Sequence, residues 1–332
     1  MRLTQQEFAT LRQSIIDGNG ATELSKMLCL SETHQQQLIE ALFTSAQAQT
    51  TSSEPTILFI VSALPFVPQS RQFAYLMRLI PLFGKIKDAH KANLRNLIDE
   101  EVANNLRPLE QISLAHELSN LLKDSNPIQV EIALGGLVKI IPQLHLVNQK
   151  EFLHDILDLS QQSALHELTR EALTALLLSL ESSHCADLAL FFADLLKKEN
   201  WLSRRYFIID LLKQIVSLLP ENDRLMLADQ VAPMIYFSDM TLVKKTISFF
   251  ATTISLLPIT QRFYYAQMIA SLINDYNMRA DVIDAVEKAI PHLANEHEKL
   301  LFLELLSQFQ PGQSALLETD HAYIPVYYRS GD

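Results

Sequence analysis

Ser217-Leu218-Leu219-Pro220 returns 38 residues later as Ser255-Leu256-Leu257-Pro258. Each copy is followed at the same offset by an arginine, Arg224 and Arg262, and then by an apolar helical pattern. Weaker echoes are Ala63-Leu64-Pro65, Ile140-Ile141-Pro142 and Ile290-Pro291-His292-Leu293, with Arg71, Lys150 and Lys299 shortly after. A unit of this size holds two helices and cannot bury its apolar face alone, so copies must stack. A stacked array offers a binding surface as its default function.

Composition agrees. The 332 residues are 48% hydrophobic, enough for a continuous core, and include only 7 Gly, with 13 Pro near segment ends. That balance, rich in Leu, Ala and Gln, describes helices and not sheet. The formal charge of −11 argues against general binding to nucleic acid or anionic membranes. It favours a protein partner with a basic surface. Cys29 and Cys185 have no ligand or redox spacing and are expected to be reduced core residues of a cytoplasmic protein, or of host cytosol for a secreted effector. Thr4 and Glu7 match a capping box at a helix start, unlike a signal peptide. The longest apolar run, 57–67, is broken by Ser62 and Pro65 and is too short to span a bilayer, so no membrane insertion is expected.

Residues 4–16 and 33–46 read as a helical pair, giving an N-terminal pair or cap over 1–47. Polar, low-complexity sequence follows from Ser45 to Pro55, so 48–55 is expected to be a loop. Helix pairs are then expected at 55–86, 88–125, 127–163, 165–200, 202–238, 240–276 and 278–310. Proline stops the first helix of several pairs. Asn148 with Glu151, and Asn295 with Glu298, match starts of second helices. Gly135-Gly136 inside a helical stretch marks a close helix approach or a kink. After Pro311-Gly312 the composition shifts, and Tyr323-Ile324-Pro325-Val326-Tyr327-Tyr328 suggests an extended tail over 311–332. It would cap the last repeat or act as a docking peptide.

The period, the proline placement and the basic residues Arg71, Lys150, Arg224, Arg262 and Lys299 resemble HEAT-like α-solenoids over about residues 55–310. The aspartate that usually partners this basic residue is not regularly present. The resemblance implies an all-α, α-α superhelix of about seven stacked helix pairs, plus the N-terminal pair. It also implies that second helices line a concave face, and that the chain is a non-enzymatic scaffold, adaptor or inhibitor holding a protein partner.

Some HEAT-like proteins are enzymes, so metal-dependent hydroxylation is the alternative. Its His-Glu pairs fall at equivalent repeat positions. Here His116-Glu117, His166-Glu167 and His297-Glu298 are 50 and 131 residues apart, not multiples of 38. Glu151 to His154 and Glu181 to His184 have metal-bundle spacing but no matching inward glutamates. Phosphate-binding glycine loops, zinc spacings and nucleophile elbows are missing. No catalytic residue, metal ligand or cofactor is expected. A bacterial effector, or the inhibitor of one, is a further alternative.

One polar position recurs in the second helices: Glu117, Asp155, Asp194, Asp229, Gln267 and Glu304, with steps of 38, 39, 35, 38 and 37. Glu40 extends it and Arg78 interrupts it. If these residues share a register they form an acidic stripe for the partner, with Glu117, Asp155, Asp194, Asp229 and Glu304 as its binding residues. A second candidate surface is basic: Arg204, Arg205, Lys244, Lys245 and Arg279, joined by Arg170, near the starts of first helices. The helix dipole disfavours cations there, so nearby acids (Glu199, Asp239, Asp275) or an anionic partner must offset them. Aromatic doublets in the C-terminal half should place one ring in the core and leave the other for an interface.

Overall fold

The structure, a computed structural model, describes residues 4–48, 53–90, 106–124 and 126–309. Among these it holds sixteen α-helices and no strand. The chain divides into two compact units, Met1–Ser179 and Leu180–Asp332. Unit 1 contains α1 (Gln5–Ile16), α2 (Gly20–Leu28), α3 (Glu32–Ala48), α4 (Glu54–Ala63), α5 (Gln69–Leu79), α6 (Pro108–Leu121), α7 (Pro127–Ile140), α8 (Leu146–Asp158) and α9 (His166–Ser179). Unit 2 contains α10 (Ser182–Lys198), α11 (Leu202–Ile215), α12 (Glu221–Val231), α13 (Met240–Thr253), α14 (Ile259–Ala270), α15 (Arg279–Ala289) and α16 (Glu296–Ser307). No helix of the described residues is long and apolar enough to cross a membrane.

Within unit 2, first helices pack in series, α11 on α13 and α13 on α15, while α10 meets both α11 and α12. In unit 1, α7 packs on α6 and α9, and α6 on α8. The second helices α3, α5, α6, α8, α10, α12, α14 and α16 share one register. Their seventh residues, Leu38, Tyr75, Leu114, Phe152, Leu188, Leu227, Tyr265 and Phe302, are all buried. That position, with the ones three and four residues away, forms the apolar stripe of an amphipathic helix. Each large side chain so buried contributes about 1.5–3 kcal/mol. Leu218 and Leu256 occupy the same place, the third residue of the 3-10 turns Val216–Leu218 and Ile254–Leu256.

The prolines fall into two classes three residues apart. Pro68, Pro220 and Pro258 are the N-caps of α5, α12 and α14, where the missing N–H costs no hydrogen bond. Pro65, Pro142 and Pro291 lie inside the 3-10 turns that close the first helices. So the prolines of the repeated phrase open a second helix, and only those of the echoes close a first one.

Other expectations also shift. Helix α2 occupies a stretch that gave no helical signal, and α3 runs through Ser45 to Ala48, so part of the expected loop is helix. Asn295 caps α16 by accepting from Glu298 N–H at 2.9 Å, but α8 starts at Leu146, so Asn148 caps nothing. The Thr4–Glu7 capping box is present. Helix α7 passes through Gly135-Gly136 without interruption, with Gly136 buried. Cys185 is buried, which pushes its thiol up, whereas Cys29 is exposed rather than in the core. Residues 91–105 and the tail Tyr323–Tyr328 lie outside the described residues.

Candidate functional site

The fourth residue of each second helix explains the repeated phrase. In chain order it is Gln35, Gln72, Gln111, Gln149, Cys185, Arg224, Arg262 and Lys299. Arg262 donates from Nε to its own pair's loop at Leu257 O (2.8 Å) and from a terminal nitrogen to the next pair's loop at His292 O (2.9 Å). Arg224 joins the corresponding loops through its two terminal nitrogens, donating to Ser217 O (3.1 Å) and Leu256 O (3.2 Å). In unit 1 the amides of Gln72 and Gln149 reach their own loops at Val67 O and Leu144 O, both 2.9 Å. Gln111 reaches the next pair's loop through Gln143 Oε1 at 2.7 Å. Arg71 and Lys150 are therefore not the register equivalents of Arg224: each sits one residue from the glutamine that is.

The sixth position is exposed in all eight second helices. From α3 to α10 it carries Gln37, Ala74, Ser113, Glu151 and Asp187. In the last three helices it carries Met226, Tyr264 and Leu301, each 44–50% exposed. Unit 2 thus presents a large apolar side chain at the same exposed place in three successive second helices. Asp229 and Glu304 stand three residues further along their helices, at the exposed ninth position, with half-buried Gln267 between them in chain order.

The expected acidic residues do not share one register. Glu117 and Asp155 are tenth residues, Asp229 and Glu304 are ninth, and Asp194 is thirteenth. Several are also engaged within the fold. Ser119 of α6 donates to Asp155 of α8, Tyr265 Oη of α14 donates to Asp229 of α12 at 2.6 Å, and Lys198 pairs with Asp194 at 2.5 Å. Arg78 of α5 pairs with Glu40 of α3 at 2.7 Å. Glu40, Asp155 and Asp229 thus tie neighbouring second helices, whereas the Asp194 pair lies within α10.

The basic set is engaged inside the fold. Arg170 pairs with Glu167, and buried Arg204 with Glu199 at 2.9 Å. Lys245 reaches Asp210 of the preceding first helix at 2.5 Å, and Lys244 reaches Asp281 of the following one at 3.0 Å. Arg205 lies over the Phe237 ring at 4.6 Å, and Arg279 over Tyr276 at 5.8 Å. The lysines are offset by Asp210 and Asp281, not by Asp239. Asp239 instead accepts from Tyr206 Oη at 2.7 Å and from Leu242 N–H at 2.7 Å, capping α13. Those two bonds hold its carboxyl below the ordinary carboxylate range; burial, and then Asp239, push the Tyr206 phenol up.

Of the aromatic doublets, Tyr264-Tyr265 splits as expected, whereas Phe191-Phe192 and Tyr206-Phe207 bury the second ring and leave the first only half-buried. Phe249 and Phe250 are both buried, because α13 is covered by α11 on one side and α15 on the other; Tyr236 and Phe237 are both exposed.

Of the metal-spacing residues, His154, Asp155 and Asp158 bring ligand atoms within 4.8 Å of one another on the surface of α8. Asp155 already accepts from Ser119, and His154 and Asp158 are exposed, with His154 Nδ1 3.9 Å from the Asp158 carboxylate. Glu298 accepts from Ala294 N–H, and Glu181 is the N-cap of α10. An open cleft of about 870 Å³ lies between α1 and α2, lined by Leu11, Ser14, Glu23, Lys26 and Cys29; Glu23 is bonded to Ser14 and Lys26 there.

No protein-family model matches the chain, and no curated protein does. Among solved structures, the crystal structure of Kap121p bound to Ste12p resembles it with a TM-score of 0.62 at 12% identity. That likeness covers 93% of this chain and 35% of the other, so the chain spans about a third of its length. A HEAT-like repeats protein of the archaeon Thermococcus onnurineus NA1 is 10% identical with a TM-score of 0.36, over 89% of this chain and 100% of that one. At these identities the likeness bears on fold alone. The fold is all-α and of the HEAT-like solenoid kind.

Proposed function

We propose that the chain is a non-enzymatic protein-binding scaffold, and that unit 2 holds the partner along the exposed face of its second helices. One observation carries this reading: the exposed sixth position, small or polar in five helices, becomes Met226, Tyr264 and Leu301. Leaving three large apolar groups in water at a repeated position is costly unless something covers them. Tyr is enriched in interface hot spots, and Met adapts to irregular partners. Asp229 and Glu304, flanking that line, favour a partner whose rim is basic. They would raise encounter rate and fix register more than they raise affinity. Asp194, also of unit 2, has a smaller part, since Lys198 already engages it. A HEAT-like structure solved with a second protein bound lends support from fold alone.

The test is a comparison of captured partners. A Met226→Asp/Tyr264→Asp double variant should keep its helicity and lose the protein recovered by the unaltered chain. Asp229→Lys/Glu304→Lys should weaken the same complex most at low salt, where charges are least screened. Recovery of the same partner by the Met226→Asp/Tyr264→Asp variant, at undiminished affinity, rules the site out.

A further inference from the structure

The eighth residue of the second helices is Ile39, Leu76, Ala115, Leu153, Ala189, Ala228, Ala266 and, in α16, Leu303. The first seven are no more than 2% exposed; Leu303 is 51% exposed. The hydrogen bonds show which way this position faces. The fourth residues Gln111, Arg224 and Arg262 donate to the loop of the next pair, and the twelfth residue Ser119 of α6 donates to α8. The eighth lies between fourth and twelfth on the same helix face, so it points at the next pair. The fifth residue points there too, since the Phe263 ring of α14 meets Phe302 of α16 at 5.5 Å. In α16 the fifth residue is Leu300, 60% exposed. Leu300 and Leu303 therefore stand on a face that a following layer covers in the preceding pair, and no described residue follows Phe309.

We infer that this face of α16 is a docking site for the chain's own C-terminal segment, and that Tyr323-Ile324-Pro325-Val326-Tyr327-Tyr328 is what covers it. The segment begins at residue 310, three residues beyond the end of α16. Its length suffices: 13 residues lead from 310 to Tyr323, and an extended chain advances about 3.3 Å per residue while the helix rises only about 1.5 Å per residue. The run can therefore turn back and reach any point along the 12-residue helix. It is the most aromatic and β-branched stretch of the segment, matched in character to two exposed leucines. Being tethered, it meets the face at high effective concentration, which a separate molecule does not. The inference is independent of the partner surface, which Leu301 shares with Met226 and Tyr264.

The experiment uses the full chain with Cys29→Ser as background, since Cys185 is buried. Leu303→Cys is compared with Tyr264→Cys for reaction with a small maleimide. The expected result is that the thiol at 303 reacts at least roughly tenfold more slowly, as at a site that must open locally before it reacts. The protection should not change on dilution. It should disappear when Ile324→Asp and Tyr327→Asp are added, with helicity unchanged. Equal reactivity of the two thiols overturns the inference. Protection that fades on dilution assigns the face to a second copy and overturns it as well. So does protection that survives the two tail substitutions.

Discussion

Unit 1 and unit 2 solve one problem with different residues. Each must hold the loop between paired helices against the start of the second helix. Unit 1 does so with the amides of Gln72 and Gln149, each reaching a carbonyl five residues back. Unit 2 does so with the guanidinium groups of Arg224 and Arg262, which reach their own loop and the next. A guanidinium carries five donors on a long stem, an amide two on a shorter one. The arginine form therefore joins consecutive repeats, whereas the glutamine form mostly closes a repeat on itself. Gln111, which reaches the next loop only because Gln143 extends toward it, shows the limit of the shorter side chain.

A large effect is expected from removing the two-way clamp. Arg262→Ala should destabilise the protein by about 2–3 kcal/mol, since two hydrogen bonds from a charged group are lost and carbonyls are left unpaired. Arg262→Gln keeps the bond to Leu257 O and should cost roughly half as much. Gln149→Ala should cost about 1–3 kcal/mol, from a fully buried amide and the carbonyl it serves. Urea unfolding of the three variants measures these differences. If Arg262→Gln is as damaging as Arg262→Ala, the bond to the next loop is the one that matters.

A second contrast lies at the eighth position of the second helices. It is Ile39, Leu76 and Leu153 in α3, α5 and α8 with Ala115 in α6, whereas α10, α12 and α14 all carry alanine. Ala228 is fully buried, and leucine would add three carbons there. Ala228→Leu should therefore destabilise by about 1–3 kcal/mol through overpacking. Thermal melting of that variant beside Leu153→Ala, where a cavity of the opposite kind costs about 2–5 kcal/mol, tests whether leucine-bearing and alanine-bearing second helices are packed to different spacings.

This contrast also decides what was legible. In unit 2 the clamp is arginine, so the phrase around Pro220 and Pro258 announced its period. In unit 1 the clamp is glutamine, a common residue that no pattern singles out. The cations Arg71 and Lys150, one residue to either side, stand out in the sequence instead. The burial period of three and four residues could have corrected this: counting back three from buried Phe152 or Tyr75 reaches Gln149 and Gln72. The acidic stripe failed for the same reason. Steps of 39 and 35 around Asp194 sum to nearly two repeats, which hid that Asp194 is a full helical turn out of line. The sixth-position change to Met226, Tyr264 and Leu301 was missed because exposure, not residue type, defines it. Only Tyr264 stands out in the sequence, as half of a doublet.

A smaller effect should attend the ties between first helices of unit 2. Lys245 and Asp210 are partly exposed, so Lys245→Ala should cost less than about 1 kcal/mol and less still in high salt.

The smallest expected effect is a pH dependence at the Tyr206–Asp239 bond, which joins α11 to the cap of α13. Asp239 has a folded pKa below its unfolded value, set first by the Tyr206 hydroxyl and then by Leu242 N–H. Its contribution is therefore present above the unfolded carboxylate value, about 4, and is lost as pH falls through the folded one. Tyr206 has a folded pKa above its unfolded value, by burial and then by the carboxylate. Its contribution is present below about 10 and is lost as pH rises through the folded value. One bond thus weakens at both ends of the scale. Asp239→Asn keeps an acceptor for the cap and for the hydroxyl but removes the charge, so it should cost only a few tenths of a kcal/mol at neutral pH. The gap between variant and parent should stay level from about pH 5 to 9 and close below about pH 4. A gap that persists undiminished in acid would mean that the carboxylate's charge contributes nothing, and that unit 2 relies on Asp239 for its shape alone.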